Sequence, residues 1–369
     1  MNPPPVTLLL TGDVMTGRGI DQLMPTPCAP QLYEPCVQDA RDYVRLAEDA
    51  SGPIARPVRF DYVWGEALAC IERQRPALRI VNLEAAVTTC DTPWPAKGIN
   101  YRMHPAHIGC LQAAHIDACA LANNHVLDWD RAGLVETLAT LRAAGIATAG
   151  AGADAAQAAA PAVLRIRGGP RVLLFSCALE TSGVPSAWRA TASRSGVNLL
   201  PDVGADTLRK LAAQVQAARK AADVVIASLH WSGNWGHAIG ADERAFARGL
   251  VDAGVDIVHG HSSHHAKAFE IHRDRLILYG CGDFINDYEG IGGHETWRGD
   301  LAPAYFVTVD RGQLQSLRVA LFKSHRLRLR PASTQDCAWW RETLDRECAP
   351  LGTRYVLQAD GMLRGEPAH

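Results

Sequence analysis

"GVDIVHGHSSHHAKAFEIH", residues 254–272, gathers five of the chain's 14 histidines into one short stretch. Its first half decides the fold class. Val255 to Val258 is an apolar run that passes straight into His259-Gly260-His261, the pattern of a buried strand that ends in a sharp turn. Two imidazoles then stand beyond the strand's carboxyl end.

The same pattern recurs along the chain. "VTLLLTGD" (6–13), "ALRIVNLE" (77–84), "DACALANNH" (117–125), "GIATAGAG" (145–152), "PRVLLFSCA" (170–178), "DVVIASLHW" (223–231) and "RLILYGCGDF" (275–284) read as strands. Residues 301–324 read as a hairpin turning at "RGQ". Helix-like stretches separate them: "VWGEALACIERQ", "RAGLVETLATLRAAG", "DTLRKLAAQVQAARKAA" and "ERAFARGLVDAG", several stopping at glycine. Alternating β and α segments predict a layered α/β sandwich with extra strand pairing toward the C-terminus. Residues 25–60 and 180–205 are irregular insertions by composition. The expected division is one domain over 1–331 and an appendage of uncertain structure over 332–369.

Composition agrees with a folded interior. The 369 residues are 47% hydrophobic and 21% charged, with a formal net charge of −2 and no long run of one sign. Nothing in that balance calls for nucleic acid or an anionic membrane surface. The N-terminal apolar run is short and lacks a basic flank, so neither signal peptide nor membrane anchor is expected, and the expected location is cytoplasmic. The ten cysteines are scattered singly, as buried small hydrophobes usually are.

Chemistry concentrates at strand ends. The first strand delivers Asp13, the second Asn82 and Glu84, the third Asn123, Asn124 and His125. Two later strands deliver His230, then His259 and His261. In open α/β sheets the ligand crevice lies outside the carboxyl ends of the strands, so these groups are expected to converge. Carboxylates, a carboxamide and imidazoles suit zinc, manganese or iron better than calcium or copper(I).

Taken in order, "TGDVMTGRG", "NLE", "LANNHVLDW", "LHW" and "HGHSSHH" resemble the CapA group of capsule or poly-γ-glutamate synthesis proteins. That group lies within the calcineurin-like metallophosphoesterase superfamily, and the resemblance spans roughly residues 6 to 325. It implies a layered β-sandwich flanked by helices, with one or two divalent transition ions (Mn, Zn, Fe or Co) at the strand ends. The metal ligands it implies are Asp13, Glu84, Asn124, His230, His259 and His261, with Glu84 bridging the ions. His125 becomes the histidine beside substrate, and His264 either lines the cleft or caps a helix.

Two departures from the superfamily pattern matter. A hydrolytic member usually begins D-x-H, whereas here Met15 follows Asp13-Val14, and a thioether is a poor ligand for a hard ion. Glu84 stands where an aspartate is usual. One tight ion and one loose one are therefore expected, with weak phosphoester hydrolysis.

Further residues are candidates for substrate. Arg18 and Arg102 either clamp an anionic group or form salt bridges. Asn123 is a substrate contact candidate beside Asn124. "YEGIGGHETWRGD" (288–300) is either a lid or a structural loop; as a lid it offers His294 for proton transfer and Arg298 for substrate. Trp231 and Trp235 either wall a pocket or pack in the core. The expected substrate is a peptide, poly-amino acid or phosphorylated intermediate. Three activities follow: metal-assisted hydrolysis with His125 supporting the developing charge, epimerisation by proton exchange at Cα between His294 and either Asp13 or His125, or metal-free binding on the same scaffold.

Overall fold

The computed structural model describes residues 4–368 and shows a mixed α/β protein built on two stacked sheets. The larger sheet runs in the order Thr353–Leu357, Leu363–Pro367, Gln313–Ser324, Leu301–Asp310, Val6–Val14, Leu78–Leu83, Ala118–Ala120, Ala147–Ala149. The smaller runs Phe269–His272, Arg275–Leu278, Ile257–His261, Val224–His230, Arg171–Ala178, Ala162–Arg165. The strands that carry the site pair in parallel with one another within each sheet, and Val6–Val14 also pairs antiparallel with Leu301–Asp310.

Alternation along each strand sorts the core into layers. Leu8, Leu10 and Ile80 face Val172, Leu174, Val224, Ile226 and Ile257 between the sheets. Leu9, Val81 and Cys119 point the other way, into the layer beneath the helices of the larger sheet. Leu173, Phe175, Val225 and Val258 do the same on the smaller sheet, against helices Ala205–Ala218 and Ala241–Asp252. A fully buried Leu or Ile contributes about 1.5–3 kcal/mol, and a one-residue slip would send every such side chain to the wrong face. The registers are thereby fixed, and with them the residues at the strand ends.

Three segments differ from the sequence expectation. The stretch 25–60 contains a helix, Arg41–Ser51, whose buried face is Tyr43, Val44 and Ala47. The expected strand 275–284 is two strands in different sheets: Arg275–Leu278 in the smaller, Asp283–Ile285 beside Val6–Val14 in the larger. The chain crosses between sheets at Tyr279–Gly282. Residues 332–368 form a helix, Thr334–Cys348, opened by a Ser333–Asp336 capping box, and a hairpin whose second strand pairs with Gln313–Ser324. Trp340, Leu344, Tyr355 and Leu363 from this stretch lie in the layer between the sheets. Among the described residues no helix is long and apolar enough to cross a membrane.

Candidate metal centre

Strand register builds the site. In the larger sheet Asp13 is level with Asn82 on one parallel neighbour and with Asp283 on the other. In the smaller sheet His230 is level with His261. A close backbone approach presses the first set together. A Cβ on Gly12 would lie 1.8 Å from the Gly282 carbonyl oxygen, and Gly282 itself has φ +73°. Only glycine fits either place, and the Asp13 amide donates to Gly282 O at 3.1 Å.

Two groups of ligand-type atoms result, each within 4.8 Å internally: Asp13, His230 and His261, and Asp13, His264 and Asp283. All five residues are buried. The Nδ1 atoms of His230 and His261 stand 2.9 Å apart, and His261 Nδ1 is 3.9 Å from Asp13 Oδ1. His264 Nδ1 is 3.0 Å from Asp283 Oδ1, whose other oxygen accepts from Asn286 at 2.8 Å. Either group could hold a metal ion, and Asp13 belongs to both. His264 and Asp283 furnish the second group with Asp13, while Met15 is buried against Ala85 and Tyr101.

His259 is not part of either group, contrary to the sequence expectation. Residues two apart on a strand share a face but sit about 6.6 Å apart along it, so His259 lies one layer deeper than His261. Both of its nitrogens are engaged there, Nε2 with the Thr11 carbonyl at 2.9 Å and Nδ1 with the Ser228 hydroxyl at 3.1 Å. Ser228 also contacts His261 Nε2 at 2.8 Å and so orients that ring. The carboxylate common to both groups is Asp13 rather than Glu84. Glu84 stands alongside, Oε1 3.8 Å from His125 Nε2 and 3.9 Å from His230 Nε2, and Asn82 Nδ2 donates to both Glu84 (3.1 Å) and Asp13 (2.7 Å).

The turn after Ala118–Ala120 supplies the next set. Asn123 uses its side chain within the protein, donating to Leu83 O and Asn82 and accepting from the amides of His125 and Val126. Those bonds shape the turn. Asn124 Oδ1 lies 3.0 Å from His230 Nε2. His125 turns Nδ1 to Asp128 Oδ2 at 2.6 Å, leaving Nε2 toward Glu84 and the cleft. Lys97 Nζ bonds Asp128 Oδ1 at 2.9 Å and stands 3.3 Å from His125 Nδ1.

Electrostatics favours a cation at this place. Burial, then the neighbouring Asp283, pushes the Asp13 carboxyl up to about 7. Burial and Asp13 push Glu84 well above the usual carboxylate range. Burial drives His230 and His261 well below the usual imidazole value, helped by adjacent imidazoles, and brings His125 down to about 4. Burial also works against a charged His264, but the Asp283 carboxylate outweighs it and the net shift is upward. A divalent ion among these atoms would relieve the clustered carboxylates and accept the neutral imidazoles as they stand.

The candidate arginines are committed elsewhere. Arg18 is buried between the rings of Tyr43 and Tyr101 and pairs with Glu34 at 2.9 Å and Asp287 at 2.5 Å. Arg102 is buried over Trp129 and donates to the carbonyls of Cys90 and Ala29. Arg298 pairs with Asp300 at 2.7 Å and Asp336 at 2.6 Å, tying the 288–300 loop to the C-terminal helix. His294 is exposed and stacks on Trp235, ring centres 4.0 Å apart. Trp235 in turn packs against His264 at 5.3 Å, so a ring separates His294 from the ligand groups. Trp231 is core, its indole N–H donating to Tyr279 O at 3.0 Å.

Asp283 and Asp128 are not among the residues that the sequence motifs single out. Asp283 opens the strand Asp283–Ile285 level with Asp13, and "GCGD" repeats the small-residue-then-aspartate pattern of "TGD". That signal could have found it.

Comparison with known proteins follows the same residues. The profile of the family described as bacterial capsule synthesis protein PGA_cap matches residues 7–288. The chain belongs to this family. Its fold is metallophosphoesterase-like, and every residue of both ligand groups falls within the matched span. Proteins from two strains of Mycobacterium tuberculosis, each described as a probable polyglutamine synthesis accessory protein, are 45% identical over 370 residues, covering 100% of this chain and 97% of theirs. The capsule biosynthesis protein CapA of Bacillus anthracis is 21% identical over 282 residues, 76% of this chain and 60% of that protein. The PGA biosynthesis protein CapA of Bacillus subtilis is 25% identical over 276 residues, 75% of this chain and 62% of that one.

Proposed function

We propose that this protein is a metal-dependent enzyme accessory to poly-amino-acid synthesis, hydrolysing a peptide-type bond in a carboxylate-bearing chain. The observation that carries the reading is the pair of buried ligand groups sharing Asp13. The relatives' descriptions supply the substrate class, and the neutral-leaning imidazoles and raised carboxyls supply the reason for a metal. Asp13, His230 and His261 would hold one ion, and Asp13, His264 and Asp283 a second, with Asn124 and Glu84 beside the first. Bound there, divalent ions such as manganese, zinc, iron or cobalt polarise a carbonyl or phosphoryl oxygen and acidify water.

The chain's own residues do the rest. Asp128 holds His125 with Nε2 toward the cleft, where the neutral ring takes a proton from the attacking water and then returns it to the leaving nitrogen. Lys97 anchors Asp128, fixing that ring's orientation. Trp235, His294 and Tyr288 wall the His264 side and narrow the approach of bulk water. Proton exchange at Cα, the epimerase alternative, needs a second base facing the first across the substrate. His294 was expected in that role, and its stack on Trp235 holds it away from the ligand groups.

The test is an assay of defined γ-glutamyl oligomers with manganese or zinc in deuterated buffer. New amino termini that appear only with metal support hydrolysis. A mass gain at Cα without cleavage would mean epimerisation, and neither change with metal bound would refute an enzyme acting on this chain.

A further inference from the structure

Met15, Ala85, Tyr101 and Tyr288 form a small cluster of their own, apart from the main layers of the core. Each member is tied to a residue of the metal centre. Met15 comes two residues after Asp13, and Ala85 follows Glu84. The Tyr101 ring meets His125 edge-on, centres 4.6 Å apart, and the Tyr288 ring meets His264 in the same way at 5.3 Å. Val14 points into the layer beneath the helices, so its neighbours Asp13 and Met15 send their side chains to the opposite face. The cluster therefore reaches from the His264 side of the centre to the His125 side.

Its polar atoms form a chain. Tyr101 Oη donates to Tyr288 Oη at 3.0 Å, and Tyr288 Oη donates to Met15 Sδ at 3.6 Å. The last link is the weak one, because a thioether is a poor acceptor. Tyr101 is fully buried, whereas Tyr288 is partly exposed. Arg18 holds the Tyr101 ring, its guanidinium 4.3 Å from the ring centre, and is itself spent on Glu34 and Asp287. A hydroxyl that accepts a hydrogen bond donates its own hydrogen more strongly. Here that strengthened donor rests on sulfur, and an oxygen carrying negative charge is a far better partner.

We propose that the Tyr288 hydroxyl is a substrate-facing donor of this centre, resting on the Met15 sulfur and turning to the substrate's oxygen as negative charge develops there. Tyr101 acts through Tyr288 and is a positioning residue. A weak acceptor at position 15 releases the donor, where an imidazole or a carboxylate would keep it. The proposal rests on the functional reading above and adds a catalytic residue to it, on the His264 side of the centre.

The experiment compares Tyr288→Phe and Met15→Leu with the wild-type protein, all equilibrated with manganese. Calorimetry measures the affinity for inorganic phosphate, an oxyanion probe, and γ-glutamyl oligomers measure turnover. Elemental analysis should find the same metal content in all three. Tyr288→Phe keeps the ring against His264 and removes only the hydroxyl. Its phosphate affinity should fall about tenfold or more, as loss of a hydrogen bond to a charged group implies, and its turnover about 10²–10³-fold. Met15→Leu keeps the volume and removes the competing acceptor, so phosphate affinity should hold or rise. Packing alone would leave phosphate affinity unchanged in Tyr288→Phe, and that result overturns the proposal. So does a Met15→Leu protein that binds phosphate as weakly as Tyr288→Phe, a loss of metal in Tyr288→Phe, or a wild-type protein that binds no phosphate. Phosphate binding that depends on the Tyr288 hydroxyl, in a protein that cleaves no γ-glutamyl bond, would leave the donor standing and remove the hydrolase reading.

Discussion

His259 and His264 offer a sharp contrast, because both are buried histidines of one motif and the structure gives them opposite work. His264 faces Asp283 and Asp13, so His264→Ala removes one of three ligand atoms from a group. Its effect on metal affinity should exceed the roughly 10–100-fold typical of losing a partner that only orients a ligand. Stability should change less, since the ring packs against Trp235 and Tyr288 rather than deep between the sheets. His259 is the reverse. The imidazole is fully buried, is driven down to about 4 chiefly by burial, and donates from Nε2 to the Thr11 carbonyl. His259→Ala opens a cavity that costs about 2–5 kcal/mol in comparable core truncations. It also strands the Thr11 carbonyl, a further penalty of about 1–3 kcal/mol. Against a total stability of about 5–15 kcal/mol, the melting temperature should drop steeply. Elemental analysis and calorimetry on both variants decide the matter, with His259→Gln as the milder replacement if the alanine variant does not fold. An His259 variant that folds but has lost its metal, beside an His264→Ala protein that keeps two ions, would refute the layered reading of the HGH strand.

Metal uptake should depend on pH through Asp13, whose carboxyl is pushed up to about 7 by burial and Asp283. Below that value the proton must leave before the ion can bind, so affinity should be highest above about 7 and fall by up to about tenfold per pH unit for each proton displaced. Titrations at pH 6 and 8 in buffers of different ionisation enthalpy would show this, and pH-independent affinity with no proton release contradicts it. His125→Gln and Asp128→Asn should keep their metal but lower turnover, about 10²–10⁴-fold for loss of a general acid or base; metal loss in either variant would make His125 a ligand. Arg18→Ala leaves Glu34 and Asp287 buried and unpaired, a cost of about 3–5 kcal/mol, seen as a lower melting temperature. A stable Arg18→Ala protein with weakened polymer binding would instead return Arg18 to the substrate site.

Much of the centre is legible in the sequence because strand ends are local. An apolar run followed by Asp13, His125, His230 or His261 announces both the strand and what it delivers. What the sequence hides is depth and pairing. The HGH motif marks two imidazoles on one face, but only the opposing sheet shows that the first meets Thr11 and the second meets Asp13. Asp283 was obscured by a strand that appears continuous from Arg275, whereas the glycines at 280 and 282 let the chain change sheets. The roles of Arg18 and Arg298 turn on Asp287 and Asp336, distant in sequence, so their capture is a property of the fold alone. The C-terminal hairpin likewise takes its order from pairing with Gln313–Ser324 rather than from its own weak pattern.

The most direct test is the metal stoichiometry of the wild-type protein and Asp13→Ala, measured by elemental analysis after equilibration with manganese or zinc at pH 8. Two groups sharing one carboxylate predict up to two ions per chain in the wild type and loss of both in Asp13→Ala. A wild-type chain that takes up no divalent ion, or an Asp13→Ala protein that still holds two, would contradict the shared-carboxylate centre.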